Sequence, residues 1–222
     1  MGQRVLLVEG KDDLHVAKNL FQIRGVPEVF RVETPAGGAE KTAEGLNAVL
    51  ESIPARLLET DLERLAVVLD ADDKGPAARW QSIRLRLINK GYRGSEIPEQ
   101  HQHAGTVFDL SLLAGIPRSV RLATWFMPDN RAAGMVEDFV AGLIRGDDAM
   151  LPRVDQFLNS IPKSECRFSP SHLPKARIHT WLAVSECPGR PMGQAIQWDR
   201  SLDANHPSAQ PFLDWVHKAL ID

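Results

Sequence analysis

Acids that close apolar runs are the residues with chemical promise. LVEGKDD, residues 7–13, ends an apolar run in Glu9, followed by a glycine and three charges. VVLDADDKG, residues 67–75, ends a longer apolar run in Asp70 and Asp72. Alternate residues of an extended chain face the same way, with Cα atoms about 6.6 Å apart. That spacing predicts that Asp70 and Asp72 bracket one hydrated ion. Carboxylates about 4 Å apart repel by several kcal/mol at intermediate dielectric unless one protonates or a cation joins them. An all-oxygen donor set suits Mg²⁺ or Mn²⁺, with water and substrate phosphate completing the shell.

The elements that position these acids are legible in the surrounding pattern. Residues 5–9 read as a buried strand and 12–24 as an amphipathic helix, with Asp12 placed to cap it and Gly25 to end it. Alternation over 28–34 predicts a second strand, and a helix follows over about 40–52. A third strand spans 65–71. The helix over 75–91 has Pro76 at its start and Gly91 at its end. A short strand near 106–110, a further strand at 121–128 and a helix in GMVEDFVAGLIRG complete the pattern. Alternating β and α elements with near-continuous apolar strands predict an α/β fold, a mostly parallel sheet with helices on both faces. From about residue 146 the pattern changes to three helices joined by Pro-rich loops. The expected division is a sheet domain over 1–145 and a helical extension over 146–222 packed on it, with Trp181, Trp198 and Trp215 sharing a core.

Composition narrows the function classes. The chain has 222 residues, 43% hydrophobic and 25% charged, which is ordinary for a globular protein. Its formal net charge of −3 argues against holding nucleic acid by bulk electrostatics. A bound cation can reverse the sign of a local site, so phosphate recognition at one place stays open. No apolar run approaches the roughly 20 residues of a membrane helix, and the N-terminus lacks the pattern of an export signal. The expectation is a cytoplasmic protein with Cys166 and Cys187 as reduced thiols.

Parallel strands gather their carboxyl ends on one ligand-binding edge. Glu9, Asp70, Asp72 and Asp129 (in FMPDN) are therefore expected to meet there. Each acid also has a plainer reading. Glu9 fits a turn with Gly10 and Lys11, Asp12 and Asp13 fit helix caps, and Asp129 fits an Asx-turn beside Asn130. Glu137 and Asp138 fit the first turn of a helix, where negative charge is favoured. Lys175 fits a surface lysine, and Gly37 with Gly38 fits a loop more than an anion cradle. HQH at 101–103 sits in a polar context and reads as a solvated loop. His15 and His179 are expected to be packed or capped.

A Glu closing the first strand as VEGKDD and a DxD closing a later one as LDADDKG resemble the Toprim domain, over roughly residues 3–145. This is the metal-binding module of topoisomerases, DnaG-type primases, recombination proteins and overcoming-lysogenization-defect nucleases. The resemblance implies Mg²⁺ held through Asp70 and Asp72, and Glu9 as general acid/base or second-metal ligand. It also implies further acidic ligands, for which GMVEDF offers Glu137 and Asp138, and a basic catalytic residue, for which Lys175 in LPKARIHTWLA is the candidate. VEGKDD, MPDN followed by G-x-x-EDF, HTWLA and the final FLDW together resemble small stand-alone Toprim-like proteins of prokaryotes.

The leading expectation is a metal-dependent nuclease-like phosphodiesterase acting on DNA or RNA. The alternative is a non-catalytic or partner-dependent module that binds nucleic acid or a separate ABC-type ATPase, since the chain has no GxxxxGKS-type loop of its own. A homo-oligomer stays open. A haloacid-dehalogenase-type phosphatase fits less well because Lys74 stands where Thr or Val belongs and Glu9 is idle. A response-regulator receiver wants an adjacent acid pair where Glu9 is followed by Gly10.

Overall fold

Among the described residues five strands make one sheet: β1 (Gln3–Leu7), β2 (Arg31–Glu33), β3 (Leu62–Asp70), β4 (Thr106–Ser111) and β5 (Ser119–Met127). Their order is β2-β1-β3-β5-β4. β1 pairs in parallel with β2 and β3, and β3 with β5, while β4 lies antiparallel on β5 at one edge. The computed structural model describes residues 2–35, 45–113 and 118–222. Gly37, Gly38 and the start of the helix expected over 40–52 lie outside the described residues.

The apolar run of β3 follows from burial on both faces. Leu65, Val67 and Leu69 point one way and join Val5, Leu7 and Phe126 in a core closed by α2 (Leu46–Leu57) and α3 (Gly75–Asn89). Ala66 and Val68 point the other way, with Leu6, Val8, Ala123 and Trp125. That second core is closed by α1 (Lys11–Arg24), α4 (Val136–Ala141) and the C-terminal helices. Each fully buried Leu or Val contributes roughly 1.5–3 kcal/mol before entropy is charged against it.

Helix ends follow local rules, with differences. Gly25 closes α1 at φ 63°, and Gly91 follows α3 at φ 96°. At the start of α1 the expected cap is corrected: Gly10 is the N-cap residue, and Asp13 rather than Asp12 accepts the Gly10 N–H, at 3.1 Å. α2 continues through Pro54 to Leu57, and α4 has only six residues, shorter than GMVEDFVAGLIRG suggested. β1 stops at Leu7, so Glu9 stands two residues beyond the ladder rather than inside it.

The C-terminal segment supplies α5 (Leu151–Ser160), α6 (Leu173–Ala183), α7 (Met192–Trp198) and α8 (Gln210–Val216), which runs on into a π-helical turn over His217–Ile221. Ile178, Trp181, Phe212 and Trp215 belong to the same core as α1 and the sheet. Trp125 on β5 meets Phe212 at 5.6 Å and Trp215 at 5.8 Å between ring centroids. Trp198 departs from the expected shared core: it is 59% exposed, with the Arg190 guanidinium 5.8 Å from its ring. The buried face of α7 is Met192, Gly193, Ala195 and Ile196. At about 100° per residue Trp198 lies about 200° round from Ile196, on the solvent side. His15 and His179, expected to be packed or capped, are exposed.

α7 has no counterpart in the periodicity reading, and Gly193 explains how it seats on α1. A Cβ there would lie 2.6 Å from both the carbonyl carbon and the Cβ of His15. Those are backbone and near-backbone atoms of a helix and cannot yield cheaply. Gly193→Val is therefore expected to cost about 2–3 kcal/mol by overpacking, a fall of roughly 5–10 °C in Tm. Thermal denaturation followed by circular dichroism checks it. An unchanged Tm would show that α7 can lift off α1 freely.

Candidate functional site: an acidic cluster at the strand ends

After β1 the chain crosses through α1, on one face, to β2. It then returns through α2, on the opposite face, past β1 to β3. The segments leaving β1 and β3 thus diverge to opposite faces, and a crevice opens between the carboxyl ends of these two neighbouring strands. Open α/β sheets bind ligands at such a switch point.

Glu9 fills that crevice. Its Oε2 accepts the Asp70 backbone N–H at 3.3 Å, and the Leu46 amide at the start of α2 also donates to it. Its pKa is raised, chiefly by burial and further by the Asp72 charge, against the lowering effect of those two amides and of Arg79. The first and second acidic segments therefore do converge.

Asp70 is the most strongly perturbed of the group, with its pKa raised to about 9. Burial is the first cause, and the nearby charges of Asp13, Glu9 and Glu137 add to it. Its Oδ1 accepts the Val136 N–H at 2.8 Å, which ties β3 to the first turn of α4. Asp72 behaves differently. β3 ends at Asp70, and Asp72 has φ 48°, so the two aspartates do not share one extended segment. Asp72 exchanges backbone hydrogen bonds with Gly134, at 2.7 and 3.2 Å, and its Oδ2 pairs with the Arg79 guanidinium. Arg79 is buried, and its Nε donates to the Asp70 carbonyl at 3.1 Å. One half of the DxD thus already has a cation, supplied by the protein.

Two further acids complete the cluster. Asp13 is 8% exposed, and its pKa is raised to about 7 by burial, then by the charges of Glu9 and Glu137. Its Oδ2 takes the Gly10 amide, while its buried Oδ1 has no partner among the described residues. Glu137 is 3% exposed, with Oε1 3.6 Å from Lys175 Nζ and a buried Oε2 that has no partner among the described residues. Asp138 points elsewhere: its Oδ2 accepts the Met135 N–H at 2.9 Å and caps α4. Burial raises its pKa, opposed by the Met135 amide and Arg177. Asp129 is exposed and accepts the amides of Arg131 and Ala132 at 3.0 and 2.8 Å, a turn rather than a member of the cluster. His101 is half-buried, 5.4 Å from His103 and edge-on to Phe126. Burial lowers its pKa, and His103 adds to the effect. Cys166 and Cys187 are free.

Strand-end reasoning put Glu9, Asp70, Asp72 and Asp129 on one edge, and the Toprim resemblance added Glu137, Asp138 and Lys175. Glu9, Asp70, Glu137 and Lys175 lie close together, Asp72 is turned onto Arg79, and Asp129 and Asp138 are taken up by a turn and a cap. Sequence reasoning missed Asp13 as a cluster member and Arg79 altogether. Among the described residues no three His, Cys, Asp or Glu side chains stand ready to hold one metal ion between them. Mg²⁺ needs no such cage, because it binds through one or two carboxylates and keeps several waters. The orphaned oxygens of Asp13 and Glu137 and the hard-oxygen donor set fit that mode of binding.

A protein family described as a protein of unknown function, DUF3226, matches residues 3–220. No curated protein matches the chain. No solved structure matches it either. Among the described residues no helix is long and apolar enough to cross a membrane.

Proposed function

The chain belongs to the DUF3226 family, and from the acids crowded at its β1/β3 crevice we propose that it is a Mg²⁺- or Mn²⁺-dependent phosphodiesterase of the Toprim kind, cutting nucleic acid. One observation carries this reading. Glu9, Asp13, Asp70 and Glu137 crowd one crevice, where burial first and the charges of neighbouring acids next raise the pKa of Glu9, Asp13 and Asp70. A group of oxygens that draws protons at neutral pH draws a divalent cation for the same electrostatic reason. Asp70 and Glu137 are the residues that would hold the ion, with Asp72 available once Arg79 releases it. A bound Mg²⁺ supplies Lewis-acid stabilisation of the charge that builds on a reacting phosphate.

The chain's own residues take the remaining roles. Glu9, with its raised pKa, accepts a proton from the attacking water or returns one to the leaving oxygen. Lys175, anchored on Glu137 at 3.6 Å, meets negative charge on the phosphate. The test is incubation of purified protein with linear and circular DNA and with RNA, in Mg²⁺ or Mn²⁺ and in EDTA. Cleavage that needs the ion and falls at least about 100-fold in Glu9→Gln is the expected result. Equal cleavage by wild type and Glu9→Gln would rule the assignment out.

The Asp72–Arg79 pair favours a second reading, a module that binds nucleic acid or a separate ATPase without cutting. Nucleic acid retained in a gel shift with no cleavage under any ion condition would select it.

A further inference from the structure

Next to the acids lies a cavity of about 280 Å³ lined by the donors Lys74, Arg79, His172 and Lys175 alongside Asp72 and Asp73. Lys74 and Arg79 come from the β3–α3 turn and α3, Ser171 and His172 from the 3₁₀ turn just before α6, and Lys175 from the first turn of α6. Arg79 pairs with Asp72 and Lys175 with Glu137, which leaves Lys74 and the His172 ring N–H as the uncommitted donors, with Asp73 exposed on the same wall. Among the described residues neither Lys74 nor His172 makes an ion pair or a side-chain hydrogen bond. Free donors converging on a cavity, in a chain of net charge −3, mark a local preference for anions. The volume lies just under the ~300–1,000 Å³ of typical small-molecule pockets, so it admits a phosphate and its sugar but not a duplex.

We infer that this cavity is a seat for a terminal phosphate monoester, so that the substrate offered to the acids is a phosphorylated single-stranded nucleic-acid end rather than a duplex interior. The inference rests on the phosphodiesterase reading for what happens next, not for the binding itself. A monoester carries about −1.5 to −2 charges and three acceptor oxygens, where an internal diester carries one charge and two free oxygens. Lys74 and Lys175 on two walls, together with the His172 ring N–H, offer donors to the three oxygens of a monoester. Lys175 belongs both to this lining and, through Glu137, to the cluster, which fixes the seat beside the reacting position.

The test is binding in EDTA at low salt, by fluorescence anisotropy, of a short oligothymidylate carrying a 5′-phosphate, a 3′-phosphate or hydroxyls at both ends. One phosphorylated end is expected to bind at least about tenfold more tightly than the hydroxyl form. Lys74→Ala/His172→Ala is expected to erase that preference at unchanged Tm, and Glu9→Gln to keep it. Equal binding of all three probes, no binding of any, or a preference that survives in the double variant would overturn the seat. Because no divalent ion is present, a preserved preference without cleavage in Mn²⁺ would sink the phosphodiesterase reading alone. Cleavage without end preference would sink only the seat.

Discussion

Asp70→Asn is expected to stabilise the ion-free protein at pH 8 and, in the same variant, to remove most of its stabilisation by Mn²⁺. The first half follows from proton linkage. Asp70 titrates near 9 and Asp13 near 7 in the folded chain, against 3.8 for a free aspartate. Between those values the native state binds more protons than the unfolded one, so unfolding free energy falls as pH rises. The contribution is complete below about 4, falls progressively above that, and is gone above about 7 for Asp13 and above about 9 for Asp70. In EDTA, Tm should therefore decline from pH 5 to pH 9. Asparagine keeps an oxygen for the Val136 N–H, at 2.8 Å in the wild type, and removes the charge. Even one pKa unit of relief corresponds to about 1.4 kcal/mol, or roughly 3–5 °C for a chain of this size. The second half follows because the carboxylate that repels its neighbours is also the one that draws the cation. Differential scanning fluorimetry across pH, with EDTA or Mn²⁺, measures both. An Asp70→Asn protein less stable than wild type at pH 8, with the same pH slope, would mean that this carboxyl is not in conflict with Glu9, Asp13 and Glu137.

That conflict was half visible in the sequence. Glu9 and Asp70 announce themselves because each ends an apolar run, and parallel strands bring such ends together whatever the loops do. The covered sheet was legible for the same reason, since Leu65 to Leu69 must bury alternate residues on two faces. What was not legible depends on long-range geometry. Nothing in DADDKG reveals that Asp72 turns to positive φ, because that turn is clamped by Gly134, 62 residues later in the chain. The extended-chain spacing that made Asp70 and Asp72 look like a pair fails at that point, and Arg79, one turn into α3, takes the second carboxylate. Asp13 looked like a helix cap and is one, but the amide it accepts holds its other oxygen in the acidic crevice. Trp198 read as core because a tryptophan is costly to expose, yet the short α7 places its buried stripe on the other side.

Gly105→Ala is the substitution expected to damage the fold most, and it acts through the C-terminal helices rather than through the sheet. Gly105 precedes β4 at φ 87°, where its N–H closes a turn on the Gln102 carbonyl at 2.9 Å. A Cβ would fall 2.0 Å from Trp215 Cδ1 and 2.6 Å from Cγ. Trp215 has nowhere to retreat: it is 1% exposed and packed on Trp125 and Phe212, with ring centroids 5.8 and 5.9 Å away. Left-handed backbone with a side chain costs roughly 1–2 kcal/mol, and displacing a core tryptophan adds a loss on the scale of a large-to-small core change. Together roughly 3–5 kcal/mol is a large part of the 5–15 kcal/mol that holds a typical domain. Urea denaturation gives the loss, and near-ultraviolet circular dichroism reports whether the Trp125–Trp215 packing opens. Trp215→Leu in the Gly105→Ala background should recover part of the loss, because the smaller side chain removes the clash; strict additivity of the two changes would refute the clash as the cause. The α6 residues beside the acids are held by Ile178 and Trp181 in this same core. Gly105→Ala is thus also expected to weaken phosphate-end binding while altering none of the residues that line the seat.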